Sequence, residues 1–383
     1  MQTLGVGMVG YAFMGAAHSQ AWRTAPHAFD LPVRPVLTAL CGRDPAATAA
    51  AAQRYGFGST ETDWRALLDR DDVQLIDVCA PGDSHAEISV AALEAGKHVL
   101  CEKPLANTVP EAEAMAAAAA RAQARGVRSM VGFNYRRVPA LALARQLIAG
   151  GQVGEIRHVR ASYLQDWLAD PAFPLTWRLQ REHAGSGALG DLGSHVVDLA
   201  QCLTGQLIAG VSGVAATFVP NRPIPGGAGA TGPVTVDDAV AFTARLESGA
   251  LASFEATRFA TGRKNALRIE INGSRGSLAF DLERLNELEF CDAAGSPGPA
   301  DAATQGFRRI LVTEPGHPYL SAWWPPGHVL GWEHTFTHQV RDLVTAIALG
   351  TDPEPSFADG LQVQHVLQAV SASAAAGSQW TPV

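Results

Sequence analysis

A short apolar run at residues 4–9 turns through Gly10-Tyr11-Ala12-Phe13-Met14-Gly15 into a helical pattern at 14–23. A strand that turns on glycine straight into a helix leaves few folds open. It opens a βαβ unit, in which the next strand returns parallel to the first. The same alternation continues for over a hundred residues. Strands are expected at 36–41, 75–80, 98–101 and 129–132, with helices at 45–55, 64–68, 84–95 and 111–125. Strands alternating with helices predict a Rossmann-type α/β fold, a doubly wound parallel sheet, over residues 1–132.

The pattern then changes. A helix at 139–149 and a longer strand at 156–164 precede a helix at 191–203. Paired apolar runs flank Ser248-Gly249 and the segment 273–276, as antiparallel strands joined by turns do. Two helices, at 332–348 and 359–375, close the chain. The stretches 220–233 and 295–306 read as loops. Residues 133–383 are therefore expected to form a C-terminal α+β domain with an open, mostly antiparallel sheet, the substrate-binding and oligomerisation domain.

Composition excludes several function classes. The formal net charge of the 383 residues is -8 with no basic run, which argues against a nucleic-acid partner. The Ala-rich stretch 112–124 carries Glu113, Arg121 and Gln123 and is too short to span a bilayer, so no membrane partner is expected. Cys41, Cys79, Cys101, Cys202 and Cys291 are scattered and odd in number. They read as reduced thiols of a cytoplasmic protein, the first three buried and inert. The apolar N-terminus lacks a basic segment and reads as strand and turn, not as a signal peptide.

Two glycine registers compete for a dinucleotide. Gly5-Val6-Gly7-Met8-Val9-Gly10 fits the spacing, but only four residues precede it, too few for the feeding strand. In the second register Gly10 makes the turn and Gly15 allows close helix–sheet approach. Ala12, Phe13 and Met14 then bring helix amides and a positive dipole to the phosphates. The second strand ends in Gly42-Arg43-Asp44, with no acid at the place expected to bond a ribose 2′-hydroxyl. Losing that carboxylate and gaining Arg43 favours a 2′-phosphate, a lean to NADP within NAD(P). Asp44 either caps the helix that begins at Pro45 or reaches back to the ribose. Pro81 and His85 lie in a loop beyond a strand's carboxyl end, where ligands of such sheets sit, with Asp83 or Ser84 as a helix cap.

Glu102-Lys103-Pro104 ends another strand on that side. A desolvated Lys103 facing a nicotinamide can bond a substrate hydroxyl and stabilise charge on its oxygen; a solvated charge at a strand end is the alternative. On a regular helix Asp191, His195 and Asp198 share one face. A carboxylate beside His195 raises its pKa and fixes its tautomer, which makes it a competent base. A buried structural histidine, or Asp191 as a helix cap, is the alternative. No metal site is expected: there is no HExxH and no cysteine nearby. His334 and His338 read as helix-face residues.

The glycine turn, Glu102-Lys103-Pro104, Asn134-Tyr135-Arg136-Arg137 and Gly190-Asp191-Leu192-Gly193-Ser194-His195, in this order, resemble the Gfo/Idh/MocA oxidoreductases. Tyr163-Leu164-Gln165-Asp166-Trp167 and Glu255-Ala256-Thr257-Arg258 look most like the levoglucosan and inositol dehydrogenase branches. The resemblance implies a six-stranded sheet used for oligomerisation into homodimers or homotetramers, and a site between the domains. By motif position Lys103, Asp191 and His195 are its catalytic groups. Ala12, Gly42-Arg43 and Gly82-Asp83 depart from the family pattern.

The expected reaction is oxidation of a ring hydroxyl of a sugar or cyclitol to the ketone, or its reverse, with NAD(P). Glu102 and Lys103 belong to the cofactor site, and Tyr135, Gln165, Trp167, Trp177, Arg178 and Asn265 to the sugar site. For Trp167 and Trp177, packing is the alternative. The loop bearing His317, Trp323, Trp324 and His328 lines either the site or a neighbouring subunit. The rivals are a redox-mediated glycosidase or lyase, a non-catalytic sugar or nucleotide sensor and, least favoured, a metal-dependent hydrolase.

Overall fold

The computed structural model describes residues 2–227, 229–293 and 304–383. The chain divides into two compact units, Met1–Arg137 with Gly331–Gln364, and Val138–Leu330 with His365–Val383. The chain thus returns to its first unit near its end. Nothing in the amphipathic pattern of the late helices marks which unit they join.

The first unit runs β1 (Thr3–Val9), α1 (Phe13–Ala28), β2 (Arg34–Cys41), α2 (Pro45–Tyr55), β3 (Ser59–Glu61), α3 (Arg65–Leu68), β4 (Leu75–Val78), α4 (His85–Glu94), β5 (His98–Cys101), α5 (Val109–Gln123) and β6 (Ser129–Val131). The strands form one parallel sheet in the order β3-β2-β1-β4-β5-β6. The order reverses between β1 and β4, the switch point of a doubly wound sheet. Buried Val6, Met8, Leu40, Leu75 and Leu100 supply its core. The helix His334–Leu349 packs Phe336, Val340, Leu343 and Val344 into that core, beside Trp22 and Ala25 of α1.

Register aligns the carboxyl ends of this sheet. Val9 pairs with Cys41 and with Val78, Val78 with Cys101, and Cys101 with Val131. The residues that follow each strand, Gly10, Gly42, Cys79, Glu102 and Gly132, therefore leave the sheet along one row. Three-residue β3 carries too little pattern to be read from sequence.

The second unit contains α6 (Pro139–Ala149), β7 (Ile156–Leu164), α7 (Arg181–Ala184), α8 (Ser194–Thr204), β8 (Ile208–Ala216), β9 (Asn221–Pro223), β10 (Thr231–Pro233), β11 (Ala239–Leu246), β12 (Leu251–Thr257), β13 (Ala266–Gly273), β14 (Gly276–Asp281), β15 (Glu287–Asp292), β16 (Arg308–Leu311) and β17 (Thr381–Pro382). Nine of the strands form one sheet in the order β16-β15-β14-β13-β7-β12-β11-β8-β17. All its pairs are antiparallel except β7 with β12. Nine strands replace the six that the family resemblance implies. Short edge strands, and β8 with its two glycines, lengthen the sheet beyond what alternation reveals. The stretch 220–233 is not a plain loop: β9 and β10 pair across it as a hairpin. Of the loop expected at 295–306, residues 295–303 lie outside the described residues.

Strict alternation gives this sheet one apolar face. Val159, Ala161, Phe242, Ala244, Phe254 and Ile269 are buried there, on the side where α8 packs against β7 and β13. The opposite face carries Arg160, Thr243, Ser253, Glu255 and Glu270 over a concavity of about 1140 Å³. Among the described residues, no helix is long and apolar enough to cross a membrane.

Candidate active site

In the first unit the glycine turn takes the second register. Gly5 and Gly7 lie inside β1, while Gly10 adopts φ +100°, which disfavours any side chain. A Cβ on Gly15 would sit 2.3 Å from the Gly10 carbonyl oxygen, so the helix approaches the turn only as glycine. Ala12 is the N-cap of α1 and makes no side-chain cap bond, which leaves the first-turn amides open to an anion. Ala12 and Phe13 are exposed, Met14 half-buried. A pyrophosphate fits this cradle. Phe13 stacks on Trp332, with centroids 5.6 Å apart and planes at 11°. The indole Nε1 of Trp332 donates to the Tyr135 hydroxyl at 3.2 Å. An aromatic run thus joins Tyr135 to the glycine turn; Trp332 escaped sequence reasoning because it lies near the other end of the chain.

The missing acid at Gly42 has a steric cause. A Cβ there would lie 2.1 Å from the Tyr11 ring and 2.6 Å from the Thr48 hydroxyl. Tyr11 occupies the space a side chain would need. Asp44 caps α2 by accepting from the Ala47 amide at 3.0 Å, as the capping alternative expected. Arg43 beside it is exposed.

Pro81 is exposed at the β4 end, and the Ser84 hydroxyl donates to its carbonyl at 2.7 Å. Ser84 is the N-cap residue of α4 and its side chain makes no cap bond, contrary to that half of the expectation; a single 3-10 turn at Gly82–Ser84 feeds the helix. His85 is buried. Its Nδ1 lies 3.0 Å from the Pro104 carbonyl and its Nε2 3.0 Å from that of Ala80. It ties the β4 loop to the Lys103-Pro104 segment rather than facing solvent.

Beneath Lys103 lies a buried polar cluster that sequence reasoning missed. His18 of α1 has Nδ1 at 2.9 and 3.0 Å from the two Asp77 oxygens and Nε2 at 2.9 Å from Glu102 Oε1. Trp22 Nε1 donates to Asp77 Oδ2 at 2.7 Å. The Lys103 amide faces Glu102 Oε2 at 3.3 Å. Burial disfavours a charged His18, but the adjacent Asp77 carboxylate prevails and holds its pKa well above the usual histidine value. Glu102 is therefore committed inward. The signal was present: Asp77 stands inside the apolar strand Leu75-Ile76-Asp77-Val78, and a buried carboxylate demands a partner.

His18, Asp77 and Cys79 place one donor atom each within 4.8 Å of one another. A metal fits this group poorly. Both His18 nitrogens already engage carboxylates, and burial pushes the Cys79 thiol far up. Cys41 and Cys101 are buried, and burial raises the Cys41 thiol to about 12; Cys79 is only partly buried. His338 is buried with its Nδ1 3.0 Å from the Arg137 carbonyl, and burial lowers its pKa to about 4.

In the second unit Asp191 is not on the α-helix expected from 191. Leu189–Gly193 forms a π-turn and α8 starts at Ser194. The segment that carries Asp191 is therefore wound differently from the α-helix that carries His195 and Asp198. Asp191 is about one-third exposed, whereas His195 and Asp198 are buried. The Asp237 carboxylate accepts from the Gly187 and Leu189 amides at 2.8 and 2.7 Å and so anchors the start of the π-turn.

Arg258, fully buried, reaches Asp191 at 4.0 Å and donates to the Asp237 carbonyl at 3.1 Å. Its guanidinium lies 5.4 Å from the Trp167 ring centre. Burial lowers the Arg258 pKa, and the Asp191 charge opposes that shift. Trp167 Nε1 donates to Gln165 Oε1 at 2.9 Å; Gln165 Nε2 and the Tyr163 hydroxyl both donate to Asn265 Oδ1 at 2.7 Å. Tyr163 meets His195 edge-on at 5.8 Å. Gln165, Trp167, Asn265, Asp191 and His195 are thus linked within one unit through Tyr163 and Arg258. Trp167 also packs against Phe173 beside buried Leu168, Leu179, Val234 and Val236. Arg178 is exposed and lies over its neighbour Trp177 at 4.4 Å, and its charge adds to the lowering of the Arg258 pKa. Trp324 is exposed on the late loop.

Comparison with known proteins follows the same division. Residues 4–133 match the oxidoreductase family with an NAD-binding Rossmann fold, and residues 141–279 match the GFO/IDH/MocA C-terminal domain. The levoglucosan dehydrogenase of Pseudarthrobacter phenanthrenivorans is 43% identical, over 100% of this chain and 99% of that one. The crystal structure of an oxidoreductase domain protein from Kribbella flavida is 68% identical with a TM-score of 0.96, covering 100% of both chains. A levoglucosan dehydrogenase in complex with NADH and levoglucosan is 43% identical with a TM-score of 0.93, also over 100% of both.

Proposed function

The chain belongs to the Gfo/Idh/MocA family of oxidoreductases, with its NAD-binding Rossmann domain, and from that premise we propose that it oxidises a ring hydroxyl of levoglucosan or a similar sugar. The observation that carries this reading is the bonded set Gln165, Trp167 and Asn265, linked through Arg258 and Tyr163 to Asp191 and His195. Polar groups on an aromatic wall suit a sugar. The levoglucosan dehydrogenase relatives support the choice among sugars.

In this reading Gly10, Ala12, Phe13, Met14 and Gly15 hold the dinucleotide, with Pro81 and Lys103 beside its nicotinamide end. His85 and Glu102 support that end from below. NAD, when bound, supplies the hydride acceptor. His195 Nε2 takes the proton from the substrate hydroxyl. Lys103 Nζ hydrogen-bonds the same oxygen and stabilises its growing negative charge. Asp191, held beside Arg258, orients the hydroxyl. Tyr135, Trp177 and Arg178 complete the sugar contacts. Positioned acid–base groups of this kind contribute about a hundred- to ten-thousand-fold in rate.

For the cofactor we propose NAD, which the NADH-bound relatives support. Arg43, exposed next to the acid-free position Gly42, gives NADP a secondary foothold. The open polar face of the nine-stranded sheet seats a second copy of the chain, giving a homodimer or, by a further pairing, a homotetramer.

The test is turnover of levoglucosan and of myo-inositol with NAD and with NADP, read as nicotinamide absorbance. NADH formation fastest with levoglucosan supports the reading. No reduction of either cofactor by any pyranose or cyclitol overturns it.

A further inference from the structure

We propose that His18 is a positioning residue that locks the Lys103-bearing end of β5 to the glycine-turn helix α1 by donating from both ring nitrogens to Asp77 and Glu102. The proposal rests on the assignment of Lys103 above.

Geometry carries it. An ionised carboxylate can only accept a hydrogen bond. His18 presents Nδ1 to Asp77 at 2.9 Å and Nε2 to Glu102 at 2.9 Å, so an ionised pair requires protons on both nitrogens. The three groups are buried, His18 at 1%, Asp77 at 0% and Glu102 at 4% exposure. Two carboxylates and one imidazolium leave one negative charge, which the neutral donors Trp22 Nε1 and the Lys103 amide address. Packing alone does not call for this set. Apolar side chains of similar size hold a helix on a sheet at least as well, because buried ion pairs contribute little net stability. What ions add is direction.

The direction joins two functional segments. His18 lies three residues beyond Gly15 on α1. Glu102 is bonded to Lys103 in sequence, and its second oxygen faces the Lys103 amide. Any shift of α1 is therefore transmitted through His18 and Glu102 to the backbone that aims Lys103. Asp77, in the strand between, fixes the ring plane with both its oxygens.

The experiment uses the full-length protein. Histidine ring 15N NMR of the free enzyme, with the His18 signal assigned by its loss in His18→Gln, should show both nitrogens protonated above the ordinary histidine range. His18→Gln and Glu102→Gln are then assayed with NAD and levoglucosan beside Lys103→Ala, with NADH affinity followed by energy transfer from tryptophan. Misplacing Lys103 by even a fraction of an ångström should lower kcat about ten- to a hundredfold. NADH affinity and the KM for levoglucosan should move much less. If His18→Gln fails to fold, Glu102→Gln carries the kinetic arm, and the His18 ring signals are assigned instead by their shift in Glu102→Gln, whose side chain lies against Nε2. A singly protonated ring overturns the proposal. So do folded His18→Gln and Glu102→Gln variants with unchanged kcat while Lys103→Ala is inactive. An active Lys103→Ala refutes instead the assignment of Lys103 on which the proposal rests.

Discussion

Replacing Arg258 with methionine removes a charge from a place where it is 1% exposed, while keeping most of the stem. The structure sets the size of the effect. The lost hydrogen bond to the Asp237 carbonyl, 3.1 Å long, is one from a charged donor, worth about 1.5–3 kcal/mol. The stacking over Trp167 adds roughly 0.5–2 kcal/mol. Methionine escapes the cost of burying a guanidinium, and offsets of this kind often cancel much of the loss. Asp191, about one-third exposed, is partly screened by water and contributes under about 1 kcal/mol. The net expectation is about 1–3 kcal/mol of destabilisation, or a Tm lower by roughly 3–10 °C for a unit of this size. The catalytic effect should exceed the thermal one. Asp191 loses its counter-charge, and the π-turn that carries it loses a support, so kcat with levoglucosan should fall about tenfold or more. NADH binding should hold, because Arg258 and the glycine turn belong to different units. Thermal melts, tryptophan-to-NADH energy transfer and steady-state turnover on the same preparation separate these effects. Arg258→Lys, which keeps charge but loses the planar fork, should fall between. Full kcat in Arg258→Met would refute the role given to the Arg258–Asp191 pair.

Three further outcomes follow. Gly42→Asp would place an acid where NAD-binding turns often carry one, but its Cβ meets the Tyr11 ring, so NADH affinity should fall by about 1–3 kcal/mol; recovery in Gly42→Asp with Tyr11→Ala, seen in the same titration, would identify the ring as the cause. Histidine burial should make the protein acid-sensitive. His98 and His338 have pKa values near 4 when folded against about 6.5 unfolded, so protonation favours unfolding and stability falls as pH drops through that window, by on the order of 3 kcal/mol for His338. His18 works in the opposite sense, since its raised pKa gives stability that is complete below the unfolded value and lost as pH rises through the folded one. Guanidinium midpoints across pH should therefore decline on the acid side, and His338→Gln, if it folds, should flatten that decline. Glu255→Lys with Glu270→Lys would place two added positive charges beside Arg160 and Arg268 on the open sheet face, so sedimentation should show the homodimer proposed for this face shifting to monomer while levoglucosan turnover per folded monomer changes by less than about threefold.

Much of the first unit was legible because its strands other than β3 are short runs dominated by apolar residues. The helices at 45–55 and 139–149 and the strand at 156–164 stand where their periodicity puts them. What escaped was of two kinds. Short elements such as β3 and β17 hold too few residues for any period to show. Long-range partnerships leave no local mark: Asp77 and Glu102 lie 59 and 84 positions from His18, at β4 and at the end of β5, while His18 is on α1. The π-turn at Asp191 hid for another reason. Winding is set by the backbone hydrogen bonds and leaves no mark in residue type, so the spacing of Asp191 and His195 suggested one regular α-helix where the structure has a π-turn leading into α8. At Gly42 the sequence showed the absence of an acid but not its cause, since Tyr11 reaches that space from another segment.

Lys103→Ala in paired assays of NADH binding and of levoglucosan oxidation by NAD puts the proposed NAD-linked sugar oxidation through Lys103 to the test. Wild-type protein is expected to bind NADH and to reduce NAD with levoglucosan. The variant should bind NADH nearly as well and turn over at least about a hundredfold more slowly. Undiminished turnover in the variant, or wild-type protein that binds no nicotinamide while folded, would contradict it.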